Sequence, residues 1–248
     1  MENKSTILSD SFFVGETAST NSLLSEMLRE AALPEGFVVR TDFQTAGKGQ
    51  HGNAWESERG ANLLFSILLY PRHIGIEQQF RLSQIVCLAI KKTLDAHLDH
   101  ITVKWPNDIY WKDKKLSGIL IQNALQEATL KNSIVGIGLN VNQITFTSDA
   151  PNPVSMRQIT DKIYDRDQLL AEIHANIMEL YKNADKTFIE QEYDKSLYRR
   201  TGFHTFRTGD GVFQAKIHAV GSDGLLTLET EQGEKRGFYF KEVEFLIM

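Results

Sequence analysis

The residues whose types and spacing could do chemistry fall in a few short runs. The first is 45–55, T-A-G-K-G-Q-H-G-N-A-W, in which Gly47, Gly49 and Gly52 surround Lys48, Gln50, His51 and Asn53. Glycine tolerates positive φ and close approach to a ligand, and a lysine among exposed backbone N–H groups makes an anion-binding cradle. The spacing is neither G-x-x-x-x-G-K-[ST] nor a G-x-G-x-x-G opening into a helix. By itself, therefore, the run reads equally well as a surface connector. Upstream lies the polar run Ser19-Thr20-Asn21; downstream lie V-K-W-P-N-D (103–108), K-K-L-S-G-I-L (114–120) and V-G-I-G-L-N-V-N (135–142). Several of these residues also have plainer readings. Ser19, Thr20 and Asn21 read by position as helix caps, and Lys115, beside a hairpin turn, as a guard of a sheet edge. Cys87, in an apolar helical pattern, reads as an inert core thiol.

The elements that must position these residues alternate between strand and helix. A short strand at 11–15 precedes a helix that spaces Leu23, Leu24, Met27, Leu28 and Ala31 on one face and exits at Pro34. A strand at 36–43 feeds the glycine loop, and 55–62 reads as an exposed turn. The run 63–70 is nearly all apolar, as in a strand buried on both faces. A long helix is predicted over 76–98, with His97 and His100 solvated near its end. The strand 101–105 stops at Pro106, and a hairpin joins 109–111 to 116–122 around Lys112-Asp113-Lys114. In 134–142 period-two geometry puts Val135, Ile137, Leu139 and Val141 on one face and Gly136, Gly138, Asn140 and Asn142 on the other. Interior glycines mark a close approach by another backbone or a ligand, and the amides beside them suggest that the approaching group is polar.

The run 145–160 reads as a loop able to act as a lid or pocket wall. Asp165 or Asp167 caps a helix carrying Leu170, Ile173, Ile177 and Tyr181, followed by a charged, ill-defined segment to Arg200. From Gly202 onward, strands around 212–220, 225–230, 235–240 and 243–247 separated by glycine turns read as a small β-barrel or as an extension of the neighbouring sheet. The expected boundary leaves 1–199 as one domain and 200–248 as another.

Composition narrows the class. The chain has 248 residues, a formal charge of −5 and one cysteine, which fits a globular protein without an internal disulfide, in a reducing cytoplasm. The charge argues mildly against a nucleic-acid-coating surface. Residues 1–10 lack a basic segment followed by an apolar one, and no apolar run spans a membrane, so neither export nor a membrane partner is expected.

The polar S-T-N helix start, Q-T-A-G-K-G-Q-H-G-N-A-W, V-K-W-P-N-D, K-K-L-S-G-I-L and V-G-I-G-L-N-V-N, in that order and followed by a small barrel, resemble the biotin–protein ligases. The resemblance covers nearly the whole chain, and K-W-P-N-D is its most specific part. It implies an α+β fold, a mixed β-sheet flanked by helices of the class II synthetase-like catalytic type, with a C-terminal barrel of the Src-homology-3 type. It also implies a two-step reaction. The biotin carboxylate attacks the α-phosphate of ATP, with magnesium assisting, and gives biotinyl-5′-adenylate and pyrophosphate. A lysine of a biotin carboxyl carrier protein then attacks the mixed anhydride and releases AMP. Two anions must be brought together and screened, so positioning and positive charge matter more than a nucleophile.

By the same resemblance, Lys115 contacts the biotin carboxylate and the adenylate phosphate, with Lys48 and Lys104 adding positive charge. Ser19, Thr20, Asn21, Gln44 and Gly47 bind biotin, chiefly at its ureido end, and Gly118 lets backbone reach the ligand. Lys48, Gly49, Gln50, His51, Trp55, Asn107 and Asn140 fall at the ATP or adenylate, with Asn140 as a magnesium contact, and Asp108 orients the incoming lysine or metal. Trp55 and Trp105 pack the pocket walls.

Two features depart from the family pattern. The family loop commonly reads G-R-G-R, whereas this chain has Gly47-Lys48-Gly49-Gln50. Lysine keeps the charge without bidentate geometry and Gln50 loses it, so the hold on the adenylate depends on another cation such as His51. The repressor-type ligases carry a helix-turn-helix domain before the core, and this chain begins at the core, so no nucleic-acid partner is expected. An exposed sheet edge could serve a homodimer or carrier docking. The competing readings are a lipoate–protein ligase of related fold and a non-catalytic biotin or nucleotide sensor.

Overall fold

The computed structural model describes residues 10–127, 129–148 and 152–247, and His51 by its backbone alone. In chain order the elements are β1 (Ser11–Val14), α1 (Thr20–Glu30), β2 (Val38–Thr41), β3 (Leu63–Leu69), α2 (Phe80–Asp95), β4 (Ile101–Lys104), β5 (Asp108–Trp111), β6 (Lys114–Gln126), β7 (Thr129–Leu139), α3 (Met156–Thr160), α4 (Arg166–Asn183) and α5 (Lys186–Ser196). The second group is β8 (His204–Thr208), β9 (Gly211–Val220), β10 (Leu226–Thr230), β11 (Lys235–Phe238) and β12 (Glu244–Phe245).

The first sheet has seven strands in the order β1-β2-β3-β7-β6-β5-β4. β1 and β2 pair in parallel and the remaining neighbours are antiparallel, so the expected mixed sheet is present. β3 is buried at every residue because it lies mid-sheet with both faces covered. Phe65, Ile67 and Leu69 join the large core under α2, α4 and α5. Leu68 points the other way, into a cluster with Leu24 of α1, Val39 and Ile134.

Several sequence expectations need correction. The long helix at 76–98 is a 3₁₀ turn over Ile76–Gln78 followed by α2. His97 is only partly solvated: its ring lies edge-on to Tyr164 and its Nε2 is 3.4 Å from Glu172. The end of the 145–160 loop is α3, closed by a capping box between Ser155 and Gln158. Asp165, not Asp167, caps α4, accepting from the Asp167 and Gln168 N–H groups. The ill-defined segment before Arg200 contains α5, whose buried face reduces to Ile189 and Tyr193, too little periodicity to be seen in sequence.

The second sheet, β11-β10-β9-β8-β12, is antiparallel throughout, the arrangement of a small Src-homology-3-like barrel. It does not extend the first sheet, and it includes β8, which the sequence reading did not separate from the preceding turn. Its interior residues Phe206, Ile217, Leu226, Leu228 and Phe245 merge with the large core. The Trp105 indole N–H donates to the Gly224 carbonyl at 3.0 Å, and the Arg199 and Arg200 guanidinium groups donate to the Leu246 and Ile217 carbonyls. The proposed domain division after Arg199 falls between two arginines whose guanidinium groups both reach the second unit's backbone, Arg200 also pairing with Asp194 of α5. Among the described residues no helix is long and apolar enough to cross a membrane.

Candidate active site

The start of α1 and the glycine loop are brought together by pairing that continues past β1 and β2. Thr17 N–H donates to the Phe43 carbonyl, and the Thr45 and Ala46 N–H groups donate to the Thr17 and Ala18 carbonyls. Ser19 occupies the helix N-cap but makes no side-chain cap bond. Gln44, across the pairing, does that work: its Oε1 accepts from Thr20 N–H at 2.8 Å. The capping reading of Ser19, Thr20 and Asn21 is thus corrected. All three line a cavity with Gln44, and all three are buried.

Their polar atoms form a directed chain. Ser66 Oγ lies 2.6 Å from Asn21 Oδ1 and 2.7 Å from Thr20 Oγ1. The Asn21 amide nitrogen donates to the Leu120 carbonyl and to Gln122 Oε1, which leaves its oxygen as the acceptor. Ser66 then donates to Asn21, and the Thr20 hydroxyl, 2.7 Å from Ser66 Oγ and 3.2 Å from Gln44 Oε1, has both oxygens within reach of its proton. Thr20 is left able to accept a further bond, and the Gln44 amide able to donate one. Ser66 was missed in the sequence, although a lone serine in an otherwise apolar strand is the signal that could have found it.

The glycine face of β7 is filled by side chains rather than by another backbone. A Cβ on Gly136 would collide with Asn21, and one on Gly138 with the Trp55 indole. A Cβ on Gly118, next door on β6, would lie 2.9 Å from Trp55 Cζ3. Trp55 therefore lies flat on two glycines, as a wall of the cavity. Trp105 does not line it, being buried against the second sheet. Asn142 turns away as well, exchanging hydrogen bonds with the Tyr164 backbone.

The loop that carries Trp55 folds back on itself. Lys48 bridges to Ala54, Gly49 N–H donates to the Asn53 carbonyl at 2.7 Å, and Trp55 N–H donates to the Gly47 carbonyl at 3.0 Å. Gly52 supplies the positive φ, 85°, that the reversal needs. Lys48 reaches over the start of α1, its Nζ 3.3 Å from Ser22 Oγ. Lys48, Gly49, Gln50 and Asn53 line the cavity, while Gly47 packs against Gln44 and the Trp55 carbonyl. The His51 side chain lies outside the described residues.

At the other end of the cavity Lys115 Nζ pairs with Asp108 Oδ2 at 2.7 Å and lies 5.8 Å from the Trp55 ring centroid. Asn107, Gly118 and Ile119 complete this end, and Phe240, from the turn that follows β11, closes it, a contribution no sequence signal announced. Asn107 donates to the Ile119 carbonyl. Lys104 is not brought into the cavity; it lies on β4 beside Asp108, its Nζ 5.3 Å from the ring centroids of both Tyr110 and Phe245. Burial pushes its ammonium below the usual lysine range, with Lys115 adding to the push and Asp108 opposing it.

A second cleft shares Ala54, Trp55 and Lys115 with the first and adds Glu56, Asn140, Phe146 and Pro153. Asn140 Oδ1 is buried there without a hydrogen-bond partner, so the cleft offers an unmet acceptor. Glu56 ties the cleft's outer wall to the glycine loop, accepting from Thr147 N–H and Oγ and from Ser148 N–H at 2.7, 3.0 and 2.9 Å. Partial burial pushes the Glu56 carboxyl up, but the bonds from Ser148 and Thr147 outweigh it and hold the group below its ordinary 4.5. The folded value lies below the unfolded one, so this clamp contributes fully above pH 4.5 and is lost as pH falls through the folded value. Hydrogen-exchange protection of the Thr147 and Ser148 amides, corrected for intrinsic rate, should fall in that acidic window. In Glu56→Gln it should be low at every pH; pH-independent protection in the native protein would contradict the clamp.

Comparison with known proteins shows the family and the fold. The model of the biotin/lipoate A/B protein ligase family matches residues 14–140. The bifunctional ligase/repressor BirA of Bacillus spizizenii is 30% identical over 240 residues, covering 92% of this chain and 71% of that protein. This chain belongs to the biotin/lipoate A/B protein ligase family. The biotin--[acetyl-CoA-carboxylase] ligase of Mycobacterium tuberculosis is 31% identical over 183 residues, 69% of this chain and 65% of that one. The biotin protein ligase of Aquifex aeolicus, solved in complex with biotin and ATP, superposes with a TM-score of 0.75 at 26% identity, covering 96% of this chain and 98% of that one. The expected kinship with biotin–protein ligases, the α+β fold with its small barrel and the ligase class all hold.

Proposed function

We propose that the chain is an ATP-dependent biotin–protein ligase, which activates biotin as biotinyl-5′-AMP and transfers it to a lysine of a biotin carboxyl carrier protein. The observation that carries this reading is a single cavity with two chemically distinct ends. Ser19, Thr20 and Gln44 offer both donors and acceptors at one end, and Lys115 stands at the other. A bicyclic ureido acid matches that polarity, with its ring amide groups at the first end and its carboxylate at the second. The dithiolane of lipoate offers no acceptor for the half-buried Gln44 amide N–H and no donor for Thr20, so it would leave part of their hydrogen-bonding capacity unused.

In the first step the carboxylate and the triphosphate meet at the junction of the two clefts. Lys115, shared by both, is positioned to leave Asp108 for the developing charge, and Lys48 and the loop N–H groups can cover the phosphates. Gln50 lines the cavity without charge, so Lys48 is the loop's cation toward the adenylate. Trp55 and Asn140 face the second cleft, where the nucleotide would lie.

Magnesium fits this donor set as an ion carried by the triphosphate. Among the described residues no cluster of three or more His, Cys, Asp or Glu could hold one, while the unpaired Asn140 oxygen is a hard ligand of the kind that joins substrate phosphates around this ion. When bound it would neutralise phosphate charge. In the second step Asp108, paired with Lys115 at that end of the cavity, receives the incoming amine. A reducing, cytoplasmic setting fits the lone buried thiol.

The test is to incubate the protein with ATP, magnesium, a biotin carrier domain and either biotin or lipoate. The carrier should gain the mass of one biotin. An unmodified carrier, or a preference for lipoate on a lipoyl domain, would overturn the reading.

A further inference from the structure

Lys104 is the cation of the K-W-P-N-D run that the cavity does not use, yet it is held in a defined place. It is the register partner of Asp108 across β4 and β5, and directly opposed residues in an antiparallel pair project on one face with their β-carbons close together. Its ammonium rests between the Tyr110 ring and the Phe245 ring of the second sheet. Asp108 meanwhile is bonded to Lys115, the very cation that the anionic ligand would draw away. With Lys115 drawn to the ligand, Lys104 is the cation left across the strand pair from Asp108.

We propose that Lys104 is a positioning residue for the transfer step: it stands behind Asp108 as a reserve cation and holds that carboxylate in place as the proton acceptor once Lys115 has turned to the ligand. The inference rests on the ligase reading above. In the transfer step the amine nitrogen of the carrier lysine forms a C–N bond to the carbonyl carbon of the mixed anhydride. The C–O bond to phosphate breaks, AMP leaves with the electron pair, and the proton lost by the amine passes to the Asp108 carboxylate. Other titratable groups act on Asp108 from the packed elements: Cys87 of α2, Tyr110 of β5 and Tyr193 of α5. Burial pushes all three up, so they stay neutral and leave Lys104 and Lys115 as the cations beside it. Around Lys104 itself, Glu244 and Arg199 act from the side of the second sheet with opposing effects.

The experiment separates the two half-reactions in Lys104→Met and Lys104→Arg. Biotin-dependent ATP–pyrophosphate exchange reads adenylate formation, and single-turnover transfer from preformed biotinyl-5′-AMP to a biotin carrier domain, measured across pH, reads the second step. In Lys104→Met transfer should fall about tenfold or more, while exchange falls less than about threefold, because general-base catalysis is confined to the second step. The acidic limb of the transfer profile should move to higher pH, and Lys104→Arg should restore both rate and profile. Transfer in Lys104→Met with the native rate and profile would overturn the inference. So would an equal fall of exchange and transfer without a shift of the limb, the mark of a structural role alone. Absence of exchange in the native protein would instead overturn the ligase reading.

Discussion

Replacing Lys115 by alanine should lower biotin-dependent ATP–pyrophosphate exchange by roughly ten- to a hundredfold while leaving the fold intact. A charge-assisted hydrogen bond is worth ~1.5–3 kcal/mol, and about 1.4 kcal/mol of lost transition-state stabilisation is a factor of ten in rate. Lys115 can exert that effect because it lines both clefts and because its present partner, Asp108, sits at their shared edge. The fold should lose little, since the Lys115 side chain is 33% exposed and its pair with Asp108 is partly solvated; pairs of this kind contribute ~0–1 kcal/mol. Denaturant midpoints of the variant and the native protein should therefore nearly coincide. Native exchange in Lys115→Ala would remove this lysine from the reaction. A collapse of both stability and exchange would recast it as structural.

The second large effect is expected at Gly138. A methyl group there meets the Trp55 indole, whose Nε1 is buried without a partner, so the ring must leave its seat. Overpacking of this sort costs ~1–3 kcal/mol, and the displaced ring also removes the wall shared by the two clefts. Gly138→Ala should thus weaken biotin binding by more than about tenfold and move the tryptophan emission toward that of a more exposed indole, because Trp105 stays buried in the core. Pairing it with Trp55→Ala should relieve the strain and return part of the stability. An unchanged emission spectrum with unchanged affinity would mean that the indole does not depend on these glycines.

Much of this was legible in the sequence because it rests on local pattern. β3 announced burial on both faces through seven consecutive residues that the structure buries. The glycine face of 134–142 announced a close approach, and the structure supplies Asn21 and Trp55 as the groups that make it. What stayed hidden depends on tertiary partners. That Gln44, rather than Ser19, satisfies the α1 N-terminus is a property of the β1–β2 pairing that places it there. Phe240 reaches the cavity because β11 stops at Phe238 and the chain then turns toward Trp105. Lys104, Lys48 and Lys115 look alike in a motif, yet only tertiary placement separates the one held between Tyr110 and Phe245 from the two that line the cavity. α5 escaped notice for a related reason, since most of its surface is solvated and its buried face is short.

The most direct measurement is a structure of the protein with biotin and a non-hydrolysable ATP analogue. The ureido ring should lie against Ser19, Thr20 and Gln44, with the nucleotide on the Trp55 and Asn140 side and Lys115 Nζ between the carboxylate and the α-phosphate. Ligands bound elsewhere, or Lys115 still paired to Asp108 with neither anion within hydrogen-bond reach, would contradict the account.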